Sequence, residues 1–237
     1  MTGSDAPVHV VLVHGAGGSS VTWSLVAPVL REHGHPVTAV DNDMRSLRAD
    51  AAAVREVVEG IVGPVLLVGH SYGGAVITDA GLHERVVGLV YVAAFAPDAG
   101  ESVSGIVSAY EPALVAEYMT RGPDGEWISR DDADDEAWRA LAWDVPAEVR
   151  AASEAAGRDT ADAAFQQTIT DPAWRTRPSW YLVATSDRHL LPEIQRAFVA
   201  RMGATADEVD TSHAIPHAAP SRVVALIERA VAAVTAG

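Results

Sequence analysis

The sequence predicts an α/β fold in which a mainly parallel sheet is covered by helices on both faces. Two observations carry this expectation. Short β-rich apolar runs alternate along the chain with longer segments of helical period. The 237 residues are also 49% hydrophobic, which suits one domain, with or without an insertion, that buries a substantial core.

Strands are expected, in order, at His9–Val13, Pro36–Val40, Pro64–Gly69, Val87–Ala93, Trp180–Ala184 and Ala206–Asp210. Between the second and third, Leu47, Ala51, Val54, Val58 and Ile61 fall on one face at a spacing of 3.6, as an amphipathic helix on a sheet requires. Val223, Leu226, Ile227, Ala230 and Val234 repeat that pattern near the C-terminus. From Pro97 to Arg177 the alternation stops. That stretch holds the acidic cluster Asp131, Asp132, Asp134, Asp135 and Glu136, the turn signal Gly122-Pro123-Asp124-Gly125, and scattered aromatics. It reads as a helical insertion, and the acidic cluster as a solvated helix start or loop. The expected organisation is a core of residues 1–97 and 178–237 with an insertion over 98–177.

Composition removes several function classes. Seventeen Lys plus Arg against 32 Asp plus Glu give a net charge of −15, which repels phosphate backbones and anionic membranes. Neither nucleic acid nor membrane is an expected partner. With no cysteine, disulfides, thiolate zinc sites, iron–sulfur clusters and a Cys nucleophile are all excluded. Met1–Pro7 is polar, without a charged-then-apolar leader pattern, and no apolar run approaches the roughly 20 residues of a bilayer span. A cytoplasmic location is the expectation.

Gly69-His70-Ser71-Tyr72-Gly73-Gly74 follows the apolar run Val65–Val68 and precedes the helix-compatible Ala75-Val76-Ile77. It fits G-x-S-x-G, in which a serine at the tip of a strand-to-helix turn needs small residues two before and two after it. The amide end of the following helix is aimed at any oxyanion formed on that serine. A second Gly-rich loop, His14-Gly15-Ala16-Gly17-Gly18, ends the first strand. It lacks the third glycine of a dinucleotide fingerprint and the Gly-Lys-Ser/Thr of a P-loop, so an oxyanion loop is the better reading.

A serine hydroxyl attacks an acyl carbon only with a histidine base, and that base needs a carboxylate to fix its tautomer. Asp187, after the Trp180–Ala184 strand, and His213, after the Ala206–Asp210 strand, follow Ser71 in the order expected after such a turn. His189 is the main rival base and Asp98 the runner-up acid. His14 and His70 read as loop-bracing groups. The His213/His217 spacing could suggest a metal pair, but Pro216 disfavours a continuous helix there.

These residues resemble the α/β-hydrolase superfamily, and within it the small-esterase branch of plant methylesterases, hydroxynitrile lyases and related bacterial esterases. The landmarks are His14-Gly15-Ala16 with Trp23 opening the next helix, Gly34–Asp41, Gly69–Gly74, the Asp187 turn and Ser212-His213. The resemblance implies an α/β-hydrolase fold with a sheet of about six strands and a helical cap before the catalytic-acid strand. It implies Ser71 as nucleophile, His213 as general base and acid, Asp187 as orienting carboxylate, and the amides of Ala16 and Tyr72 as oxyanion hole. Gly15, His70, Tyr110, Tyr118, Trp127, Trp143 and Leu190 become pocket candidates, beside Trp138 and Phe165 of the cap.

The implied activity is acyl-enzyme hydrolysis of a small to medium uncharged carboxylic ester, with a methyl ester or lactone as options, by a monomer or homodimer that uses no metal, nucleotide or organic cofactor. Cyanohydrin-cleaving relatives carry a threonine at the position of Gly15 and a lysine at that of Ala214, so the resemblance favours ester hydrolysis. Other non-hydrolytic chemistry on the same scaffold (lyase, perhydrolase or carbon–carbon cleavage) and a small-molecule receptor are the alternatives.

Overall fold

The computed structural model describes residues 6–130 and 134–236. A six-stranded, all-parallel sheet runs through the molecule in the order β2 (Val37–Val40), β1 (His9–Val13), β3 (Val65–His70), β4 (Val86–Val92), β7 (Ser179–Ala184) and β8 (Thr205–Val209). All six expected strands are present within a residue or so at each end. β-Branched and aliphatic runs with side chains alternating across the sheet explain why these segments extend. In β1, Val10 and Leu12 join one core cluster while Val11 and Val13 join the other.

The first face packs against α2 (Leu47–Glu59), α3 (Tyr72–Ala80) and α8 (Pro192–Met202), through side chains such as Val54, Ile77 and Phe198. The second packs against α1 (Ala27–Glu32) and α10 (Pro220–Thr235), through Leu30, Val223 and Ile227. Ser46 caps α2 by accepting from Ala49 N, and Gly203 ends α8 in the left-handed region that glycine tolerates. Two details differ from the sequence expectation. Ile61 lies just beyond α2 but still packs on its core, and Trp23 closes a one-turn 3₁₀ segment instead of opening an α-helix. On the exposed edge, β8 carries Asp207 and Glu208, paired with Arg229 and Arg196, and such charges discourage further strand pairing.

The segment between β4 and β7 holds α4 (Val103–Val107), α5 (Asp134–Leu141), α6 (Ala147–Ala155) and α7 (Asp162–Gln166). It is not wholly helical: β5 (Met119–Arg121) and β6 (Trp127–Ser129) form an antiparallel hairpin about the Gly122–Gly125 turn, with Gly125 at φ +79°. Strands of three residues are too short to show a period of two. Of the expected acidic cluster, Asp131 and Asp132 lie outside the described residues, and Glu136 is exposed on α5. Both ends of the insertion sink into the main core, through Val103 and Ile106 on one side and Ile169, Ala173 and Trp174 on the other.

A parallel sheet puts the carboxyl ends of its strands on one edge. The chain moves from β1 to β2 on one side and returns to β3 on the other, so the loops after β1 and β3 diverge and leave a crevice between them. The loops after β1, β3, β7 and β8 carry the residues considered next.

Candidate active site

Ser71 occupies the turn from β3 into α3 at φ +52° and ψ −123°, a conformation that L-residues rarely adopt. Its backbone is held there from three sides. The amide donates to Val92 O at 3.3 Å, and the carbonyl accepts from both Gly74 N and Phe95 N at 3.0 Å. The glycines of the motif are required by contact. A Cβ on Gly69 would meet Gly73 O at 2.5 Å, and one on Gly73 would meet His14 O at 2.6 Å. Met44 and Ala93, the other two non-glycine residues at positive φ among the described residues, also lie in loops at this edge of the sheet, so backbone strain collects around it.

The β1 loop packs directly on this turn: a Cβ at Gly15 would lie 2.8 Å from Ser71 Cβ and 3.2 Å from His70 Nδ1. Buried His14 braces the loop, with Nδ1–H donating to Gly15 O at 2.8 Å and Nε2 accepting from Asn42 N at 3.0 Å. Burial lowers the His14 pKa, which suits a neutral ring with one donor and one acceptor. Tyr72 is the first residue of α3, and neither its amide nor that of Ala16 has a protein acceptor among the described residues.

His213 Nδ1 is 2.6 Å from Asp187 Oδ2, and both residues are buried. The carboxylate is fully engaged. Oδ1 accepts from His189 N at 2.7 Å and Leu190 N at 3.0 Å, and Oδ2 also accepts from Gln195 Nε2 at 2.8 Å. Asp187, His189 and His213 offer ligand atoms within 4.8 Å of one another. With His189 N, Leu190 N, Gln195 Nε2 and His213 Nδ1 on Asp187, both of its oxygens are engaged by N–H groups of the protein. No hydrogen bond joins Ser71 Oγ to the His213 ring among the described residues; such bonds often close only when substrate is bound.

His70 donates Nε2–H to His213 O at 3.0 Å and lies against its ring, with centroids 4.8 Å apart. On the other side His189 stacks on His213 at 4.6 Å and 16°. Burial, reinforced by the neighbouring His213, holds His70 well below the ordinary histidine range and brings His189 to about 3. The ring of His189 forms no bond to Asp187, so this rival for the base lies beside the pair, outside it. Asp98, the runner-up acid, pairs with Arg175 at 2.5 Å. His217 sits in the short α9 (Ile215–Ala218), its Nε2 3.3 Å from Ser153 Oγ.

The sequence-predicted pocket residues separate into two groups. Gly15 and His70 adjoin Ser71, while Leu190 is buried in the core beside Asp187. The insertion aromatics are engaged differently. The guanidinium of Arg121 lies 3.8 Å over the Trp127 ring, whose Nε1 donates to Asp162 at 3.1 Å. Arg188 lies 4.6 Å from the Trp143 ring, and Trp143 and Tyr110 are exposed at 44% and 37%. Tyr118 is half-buried before the hairpin, and Phe165 packs edge-on to Tyr72 at 5.7 Å.

Residues 10–226 match the model of the Alpha/beta hydrolase family. The chain belongs to that family. Among relatives of this alpha/beta hydrolase, salicylic acid-binding protein 2 of Nicotiana tabacum is 32% identical over 127 residues, 46% of this chain and 48% of the relative. A carbendazim hydrolyzing esterase of a Nocardioides species is 33% identical over 128 residues, 47% and 52% of the two chains. The chain thus spans about half the length of the curated relatives it matches. Its fold is also that of a pyrethroid hydrolase from Sphingobium faniae, with TM-score 0.85 and 21% identity over 96% of this chain and 98% of that one. Polyneuridine aldehyde esterase superposes with TM-score 0.79 and 21% identity, covering 95% of this alpha/beta hydrolase and all of the other chain.

Several residues that shape the site carry no sequence signal of their own. Gln195, fully buried in α8, donates to Asp187 and to Leu190 O at 2.7 Å while its Oε1 accepts from Ala184 N at 3.0 Å. Asp144 of the insertion accepts from Ser212 N at 2.7 Å, bracing the His213 loop. A carboxylate followed eight positions later by a glutamine on a helix could have flagged the first. The second is 68 residues from its partner and had no comparable cue.

Proposed function

We propose that the protein is a serine esterase that cleaves a small to medium uncharged carboxylic ester, with a methyl ester or lactone within its range, through an acyl-enzyme. The observation that carries this reading is the 2.6 Å His213–Asp187 pair on the same sheet edge as the strained Ser71 turn. Donation of Nδ1–H to Asp187 leaves the Nε2 lone pair as a base. Ser71 Oγ attacks the ester carbonyl carbon as His213 Nε2 takes its proton. The amides of Ala16 and Tyr72 hold the negative oxygen of the tetrahedral intermediate. His213 then protonates the leaving alcohol, and water, activated by the same nitrogen, cleaves the acyl-Ser71 ester to release the acid.

The insertion acts as the cap, with Tyr110, Tyr118, Trp127 and Trp143 as candidate walls beside Gly15, His70 and Leu190. Kinship to proteins named esterases supports this reading. Hydrolysis is favoured over cyanohydrin cleavage because all 17 basic residues of the chain are arginine, so no lysine ammonium can stand by a departing cyanide. A side chain at position 15 would also press on Ser71.

The test is steady-state hydrolysis of p-nitrophenyl and methyl esters of increasing chain length, with Ser71→Ala and His213→Ala alongside. Turnover should fall by about 10⁴ to 10⁶ in each variant. Ser71→Ala activity within about tenfold of the parent would remove Ser71 from the nucleophile's role.

A further inference from the structure

The insertion reaches back to the loop that carries Ala16, and it does so through hydrogen bonds. Gly17, at φ +71°, donates its amide to Thr160 Oγ1 at 2.9 Å, and its carbonyl accepts from Arg158 N at 3.1 Å. Both polar groups of the residue next to Ala16 are therefore tied to residues about 140 positions later in the chain. Thr160 is 2% exposed. Its hydroxyl hydrogen points to Met44 Sδ at 3.5 Å, which leaves an oxygen lone pair for Gly17. The same segment is fastened elsewhere: Ala161 N donates to Met44 O at 3.0 Å, and the Arg158 guanidinium contacts Asp41 at 3.5 Å and Asn42 O at 3.4 Å. Thr160 O accepts from Trp127 N at 2.8 Å, so the β5–β6 hairpin rests on the same residue.

We propose that Thr160 is a positioning residue of the cap that helps set the oxyanion loop, so that docking of the 157–161 segment on Gly17 holds the Ala16 amide toward the crevice. The inference rests on the esterase reading above. A peptide plane has one orientation to give. Thr160 fixes the Ala16–Gly17 peptide through Gly17 N–H, and Arg158 N fixes the Gly17–Gly18 peptide through Gly17 O. Gly18 N–H of that second plane donates to Gly15 O at 3.2 Å, the carbonyl of the peptide that carries the Ala16 N–H, so the two ties together hold that amide's direction. Without the Thr160 acceptor, Gly17 has the conformational freedom of any glycine, and the loop samples orientations in which the amide is turned away. The cap thus helps to assemble the transition-state site besides covering it.

Thr160→Val keeps the shape of the side chain and removes the acceptor; Thr160→Ser keeps the acceptor. In Thr160→Val, kcat should fall by about 10- to 100-fold with KM within about threefold, because an oxyanion donor acts in the transition state more than in the ground state. Affinity for a boronic acid that mimics the tetrahedral adduct should fall in parallel with kcat, and Thr160→Ser should restore both.

Hydrogen exchange of the peptide covering residues 14–19 supplies a readout independent of turnover. Exchange should rise in Thr160→Val while peptides from β3 and β4 stay protected. Unchanged exchange in that peptide, or a loss that appears in KM alone, would overturn the proposal. A Ser71→Ala protein that kept full turnover would instead sink the esterase reading, and the exchange result would still decide whether Thr160 holds the loop.

Discussion

Gln195 holds Asp187 as Thr160 holds the loop after β1. Its amide satisfies Asp187 Oδ2, Leu190 O and Ala184 N at once, inside a site closed to water. Gln195→Leu leaves the Ala184 amide orphaned and takes one donor from the carboxylate, costing about 1–3 kcal/mol of stability. It should lower kcat by about tenfold, because the carboxylate that orients the His213 ring loses one of its fixed donors. Kinetics from pH 5 to 8 together with a urea titration check this, and wild-type kinetics with only a stability loss would make Gln195 merely structural. At Gly73 the outcome is steric: Gly73→Ala drives a methyl into the carbonyls that end β1, and should yield unfolded or inactive protein by circular dichroism and ester assay.

Ser71, Asp187 and His213 could be marked as candidates from the sequence because the proposed chemistry dictates both residue types and their places after strands, and the structure pairs His213 with Asp187. Thr160 and Asp144 could not, since their partners lie 143 and 68 residues away, and Gln195 offered only its spacing from Asp187.

The secondary structure divides along the same line. The sheet strands were legible as continuous apolar runs, which burial on both faces writes into a parallel sheet, and the helices by their period, as in Leu47, Ala51, Val54 and Val58. The insertion was not. Its elements are short, its hairpin strands have three residues each, and its fastening depends on single contacts such as Arg121 over Trp127 and Trp127 Nε1 to Asp162. Trp127→Ala should therefore loosen the hairpin locally. Limited proteolysis should cut between residues 118 and 130 faster, while near-ultraviolet and thermal transitions of the sheet core shift little. Cooperative loss of the whole fold at that substitution would show the hairpin to be integral to the core.

Over the whole molecule, four histidines near the site are held below their ordinary value of 6.5 by burial: His14, His70, His189 and His217. The folded state keeps them neutral while the unfolded chain protonates them as pH falls through 6.5, so unfolding takes up protons and stability drops on acidification. Each can contribute up to about 1.4 kcal/mol per pH unit in that window. Asp50 acts in the opposite sense. Its burial raises its pKa above 3.8, so the folded state binds that proton more readily and the effect opposes the histidines only in the more acid range. Urea midpoints should be level above about pH 7 and fall from 6.5 to 5, with more than one proton taken up per unfolding event. A midpoint constant down to pH 5 would contradict the buried-neutral assignment.

The proposed reaction turns on a covalent bond to Ser71. The measurement that addresses it is intact-mass and peptide mass spectrometry of the parent protein, quenched with acid during turnover of p-nitrophenyl acetate. The prediction is a single acetyl group on the peptide containing Ser71, absent from Ser71→Ala. Turnover with no adduct on Ser71, or with the acetyl on another residue, would contradict it.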